Sequence, residues 1–199
     1  MIKYLSTNIS LYFQENNSCL SKKDVLKIQY TLEAILSDLS KFIIIFLVFL
    51  FIKEIPLFLF SFIILNSTRP LLGGIHCKTY YGCLTCSILY FMIILLFTRL
   101  FPELNTNFYI VFFILSLAIT FIFAPCPNEK RPVKNKATLK ILSLISLTFW
   151  IILFYLSPLQ TRNCILISIF LQIIQVIIIN TKGVIFNAKN NKTFFNRTT

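Results

Sequence analysis

The chain predicts an all-α, polytopic membrane helix bundle of about six membrane segments, preceded by an amphipathic N-terminal helix. Three observations carry that fold class. Hydrophobic residues fill 57% of the 199 positions and charged residues only 13%, against about 45–50% and 25% in soluble domains. The apolar residues gather into six runs, at 42–52, 55–65, 84–97, 108–124, 141–156 and 164–179. The basic residues that give the net charge of +12 lie between these runs, as in the cytoplasmic loops of membrane proteins. A soluble globule of this size could not cover 22 Phe and their aliphatic neighbours without large exposed apolar patches. Disordered chains lack such aromatic content. A nucleic-acid partner is not expected either, because no basic stripe interleaves with aromatics; the expected partner is the lipid bilayer.

Residues 1–41 read as an amphipathic region at the cytoplasmic face or the membrane interface. Ser21 and Asp24 form a capping-box pattern, with Asp in place of the usual Glu. Val25, Ile28, Leu32, Ile35, Leu36, Leu39 and Phe42 follow at helical spacing, and Ile2, Leu5, Ile9 and Tyr12 repeat it more weakly. Such a stripe suits a membrane surface, a partner helix or the chain's own bundle.

Residues 42–180 hold the bundle. The first two apolar runs are short, about 16 Å of helix each at 1.5 Å per residue, and are broken at Lys53-Glu54-Ile55-Pro56. Charge parity argues for a hairpin or re-entrant pair over one broken helix. Lys-rich segments 1–41, 125–140 and 181–199 should share the cytoplasmic side, and an even number of crossings must separate the first two. Six crossings result, with loop 66–83 facing the cytoplasm and 181–199 as a basic cytoplasmic tail. The expected location is the cell membrane, multi-pass.

Segment 69–83 differs from the rest. It contains the only His of the chain, two of its six Cys and three of its four Gly. A lone His is usually structural, and a Cys among apolar residues is usually a small core side chain. Their meeting in a polar, glycine-rich stretch favours chemistry: imidazole titrates near neutrality and can serve as base to a thiol whose anion is the nucleophile. Cys83 opens an apolar run, where a helix N-terminus favours the anion and offers backbone N–H groups to an oxyanion. Two alternatives are weaker. His76, Cys77, Cys83 and Cys86 crowd into eleven residues, unlike the separated ligand pairs of structural zinc sites. Cys83 and Cys86 form a CxxC without the strand–helix pattern of a thioredoxin site. No metal and no cofactor are expected.

Residues 76 and 83 would lie about 10.5 Å apart along one straight helix, too far for a catalytic hydrogen bond. Their cooperation requires a non-helical turn within 77–82 and a helix beginning near Cys83. Glu33, Asn66 or a backbone carbonyl are candidates to orient the imidazole; no carboxylate in sequence is nearer than Glu54.

The combination of Arg69, the Gly73-Gly74-Ile75-His76 run and Cys83 seven residues beyond the His resembles the AgrB family of membrane cysteine endopeptidases. Ala124-Pro125 and the basic, Pro-containing loop that follows extend the likeness. In that family a small residue would be unsurprising where Cys77 stands, which leaves a second candidate thiol. The resemblance implies cleavage of the C-terminal part of an AgrD-like quorum-sensing propeptide and closure of the remainder into a thiolactone or lactone ring. It implies Cys83 as nucleophile, His76 as base and then acid, and Arg69 and Gly74 as supporting residues. A homodimer is compatible with it. The rival readings are a membrane peptide exporter without peptidase activity and a scaffold. An ion-coupled carrier would place ionisable residues in the later spans, where the sequence offers mainly Gln172 and Gln175.

Overall fold

The computed structural model describes residues 2–17, 20–74, 79–126 and 135–195, with side chains among these as far as Thr181. Seven helices account for almost all of them: α1 (Ile2–Asn16), α2 (Lys22–Ile52), α3 (Ile55–Leu72), α4 (Tyr80–Leu100), α5 (Thr106–Phe123), α6 (Lys136–Leu156) and α7 (Leu159–Phe195). Six, α2 to α7, are long and apolar enough to cross a membrane, which bears out the all-helical, six-segment class.

The first two spans are both longer than their apolar runs, α2 much more so than α3. α2 has 31 residues and α3 has 18, about 46 and 27 Å of helix, beside a hydrocarbon core of roughly 30 Å. The apolar runs mark only where lipid is tolerated; α2 continues past its run at the N-terminal end and α3 at the C-terminal end, each through a polar flank. Amphipathic segment and first span are therefore one helix. Its start is the expected cap: Ser21 Oγ accepts from the Asp24 N–H at 3.3 Å and donates to the Asp24 carboxylate at 2.6 Å. At its end Lys53 turns left-handed (φ 61°), with Lys53 N–H donating to Leu50 and Glu54 N–H to Phe49, the paired bonds of a Schellman close. α3 then starts with Pro56 in its first turn, where a missing N–H costs nothing.

The chain divides into two compact units. One comprises Met1–Ile55 with Lys78–Ser87; the other comprises Pro56–Cys77 with Ile88–Thr199. In the first, α1 lies on α2 through Ser6 and Ser10, both buried. Their hydroxyls bond back to Lys3 and Thr7 carbonyls, so each presents only a small side chain, and Gln29 of α2 donates to Thr7 Oγ1 at 2.8 Å. Of the apolar stripe expected on α1, Leu5 and Tyr12 are exposed whereas Ile2 and Ile9 are half-buried. Small residues permit close helix approach where the surroundings are themselves apolar.

In the second unit α5, α6 and α7 pack together around Tyr109, Phe113 and Phe154, with Phe154 4.9 Å from each of the other two ring centroids. Trp150 Nε1 of α6 donates to Ser67 Oγ of α3 at 2.8 Å, and Phe58 of α3 meets Phe91 of α4 edge-on. α7 is the most buried of the six candidate spans. Its Ser168 carbonyl accepts from Tyr90 of α4 at 3.1 Å, and its Asn163 amide donates to Phe101 at 2.8 Å.

Candidate functional site

The segment expected to form the catalytic loop is largely helical at both ends: α3 runs on through Arg69 and Pro70 to Leu72, and α4 starts at Tyr80. The expected break between His76 and Cys83 is present in that residues 74–86 are not one straight helix. His76 and Cys77 lie outside the described residues, and so does the expected imidazole–sulfur distance.

In the unit that carries α3, two glycines end the helix for different reasons. Gly73 has φ +99°, a conformation that resists side chains, and its N–H closes the last turn onto Arg69 at 2.9 Å. The strand of chain after α5 runs directly against it. Cys126 N–H donates to the Leu72 carbonyl at 3.0 Å, and a Cβ on Gly73 would sit 2.7 Å from the Cys126 Cβ. Gln172 Nε2, from the middle of α7, donates to the Gly73 carbonyl at 2.6 Å. Gly74 is small for the sake of Arg69, whose side chain folds over it: a Cβ there would stand 2.8 Å from Arg69 Cγ and closer still to Nε. The two residues that the resemblance implies as supports thus depend on each other sterically. Cys126 is buried and accepts from Asn180 Nδ2 at 3.4 Å. Burial pushes its thiol above the ordinary range, with the Asn180 bond opposing.

In the other unit, Thr79 caps α4. Its hydroxyl accepts from the Gly82 N–H at 3.2 Å and its carbonyl from the Cys83 N–H at 3.1 Å. The helix therefore begins near Cys83, as expected, at Tyr80 three residues before it, and Gly82 sits inside the first turn. These two N–H groups are already engaged, which removes them as oxyanion donors in this arrangement. Cys83 is a free, half-buried thiol, and Cys86, one turn on, is exposed. Against the Cys83 sulfur lies Lys41 of α2, with Nζ 3.7 Å away. Lys41 also pairs with Asp38 at 2.7 Å, and Ser40 Oγ and Tyr80 Oη share a hydrogen bond of 2.8 Å.

Sequence reasoning counted Lys41 only as a topological charge and Gln172 only as a polar residue in a span. The one available signal was position: Lys41 stands immediately ahead of an apolar run and Gln172 within one, where uncompensated polar groups are expensive.

No solved structure matches the chain. The family described as accessory gene regulator B matches it over residues 6–176, a span that takes in both glycines, Arg69, His76, Cys83, Lys41 and about half of α7, and the chain belongs to that family.

Proposed function

We propose that the protein is a membrane cysteine endopeptidase that cuts an AgrD-like propeptide and hands the N-terminal fragment on as a cyclic peptide. Family membership places the chain in accessory gene regulator peptide processing at a membrane. The observation that carries the finer reading is Cys83: a free, half-buried thiol in the first turn of α4 with an ammonium group beside it.

His76 takes the thiol proton as Cys83 sulfur attacks the scissile carbonyl, and returns it to the departing amine. The acyl-enzyme is a thioester. A thiol or hydroxyl within the bound fragment then attacks that thioester; its proton passes through His76 to the leaving Cys83 sulfur, and a thiolactone or lactone ring closes. Thioester exchange onto a thiol is nearly isoenergetic, so the outcome depends on keeping water out, which a site at the edge of the hydrocarbon region favours. Arg69 and Gly74 support the segment that leads to His76. Segment 66–83 faces the cytoplasm, and residues 1–41 and 181–199 flank the bundle on that side.

The test is co-expression with a candidate propeptide, read by mass spectrometry. Cys83→Ala and His76→Ala should leave the propeptide uncut while the protein persists in the membrane. Cys86→Ala and Cys77→Ala should still cut. Cleavage that survives Cys83→Ala and dies with Cys77→Ala assigns the nucleophile to the other thiol.

A further inference from the structure

We infer that Lys41 is the charge partner of Cys83, holding the negative charge that the sulfur carries as it attacks the peptide and again as it leaves the thioester. This rests on Cys83 being the nucleophile, as proposed above.

The geometry points there from several sides, all within one unit of the fold. Lys41 Nζ stands 3.7 Å from Cys83 Sγ, contact range for a large, polarizable atom. The Lys41 side chain is only 13% exposed, whereas its ion-pair partner Asp38 is 80% exposed. A lysine can keep its head in water by extending along its flexible stem, and an exposed carboxylate three residues back could be met there. Lys41 keeps that pair at 2.7 Å while its own side chain turns inward at the head of an apolar run, over the first turn of α4. The Tyr80 ring lies beneath it, 5.8 Å from Nζ to the centroid, a separation that suits cation–π attraction. The hydrogen bond between Ser40 and Tyr80 ties the neighbouring residue of α2 to the first residue of α4, which sets the register of Lys41 against Cys83.

Burying an ammonium is costly unless an opposite charge meets it. Asp38 provides one from the solvent side. The sulfur anion provides the second, from the protein side, at the moments in the reaction when it exists. The first turn of α4 adds the partial positive charge of a helix N-terminus on the same sulfur. Lys41 transfers no proton in this scheme. It stays an ammonium throughout, while His76 takes and returns the proton that moves, so attack and departure both balance with Lys41 unchanged.

The experiment uses the full-length protein in lipid nanodiscs and neutral iodoacetamide, with modification at each cysteine followed by peptide mass mapping. Lys41→Met should slow alkylation of Cys83 by about 10- to 100-fold, the range set by a hydrogen bond to a charged group, and lower propeptide cleavage in parallel. Lys41→Arg, which keeps the charge, should restore much of both. Cys86, one turn further along the same helix, is the internal reference and should keep its rate. The inference is overturned if Cys83 in Lys41→Met reacts as fast as in the unaltered protein, if Cys86 slows equally, or if Lys41→Arg is as slow as Lys41→Met. Cys83→Ala separates the two failures: cleavage surviving in that variant removes the nucleophile, whereas a failed Lys41 test beside a dead Cys83→Ala removes only the charge partner.

Discussion

Replacing Gly73 by Ala puts two separable strains on the same methyl group. The backbone there has φ +99°, and forcing an L side chain into left-handed territory costs roughly 1–2 kcal/mol. The new Cβ would also stand 2.7 Å from the Cys126 Cβ. That neighbour is a β carbon fixed to its own backbone, which is hydrogen-bonded to Leu72 at 3.0 Å, so it cannot swing aside as a side-chain tip would. Overpacking of this kind costs about 1–3 kcal/mol. Together they predict a loss of about 2–5 kcal/mol, a large share of the 5–15 kcal/mol typical of a folded domain. A double-mutant cycle divides the sum. Cys126→Gly removes the opposing Cβ, so Gly73→Ala on that background should lose only the backbone part, with a coupling of about 1–3 kcal/mol. The readout is unfolding in mixed micelles followed by Trp150 fluorescence. That is the chain's single Trp, bonded to Ser67 in the same unit. A Gly73→Ala protein as stable as the parent, or a cycle with no coupling, refutes the reasoning.

Two further outcomes follow from the same region. Gln172→Leu keeps the volume but strips the donor from the Gly73 carbonyl; leaving that acceptor unpaired should cost about 1–3 kcal/mol in the same unfolding assay, and an unchanged midpoint would show that the bond contributes nothing. For Cys126, burial raises the thiol's titration above the ordinary range, so its anion forms only in more alkaline solution. Alkylation of Cys126 should still be rising with pH where an ordinary thiol has levelled off; a profile that levels at the ordinary thiol range refutes the burial argument.

The number of spans was legible because six apolar runs each became one helix. Their ends were not, because a helix is held by backbone hydrogen bonds that ignore side-chain polarity: α2 passes through Lys27, Glu33, Asp38 and Lys41 without a break. The cap at Ser21 could be read, since its chemistry is local to four residues. For α1 the weak apolar stripe left a membrane surface, a partner helix and the chain's own bundle all open. Helical periodicity of apolar residues marks the inner face only when water lies outside, and here serines turn inward. In the candidate site, Gly73 and Gly74 stood out in the sequence, but what each glycine makes room for did not: Cys126 lies 53 positions from Gly73, and Arg69 reaches Gly74 only after the α3 terminus folds back. Lys41 and Cys83 are 42 positions apart, and no spacing rule links them. The start of α4 was expected near Cys83 and lies at Tyr80, where Thr79 supplies a cap that carries the helix through Gly82.

The anchor on Gly73 also has a timetable. Its donor, Gln172, is 99 residues further along the chain, and ribosomes add about 5–20 residues per second. Some 5–20 s therefore separate synthesis of the glycine turn from synthesis of the side chain that holds it, on the rate just given. During that interval the segment leading to His76 exists without this tie, and a chain truncated before α7 never acquires it. The turn at Gly73 thus gains this donor only once the chain has been made as far as the middle of α7.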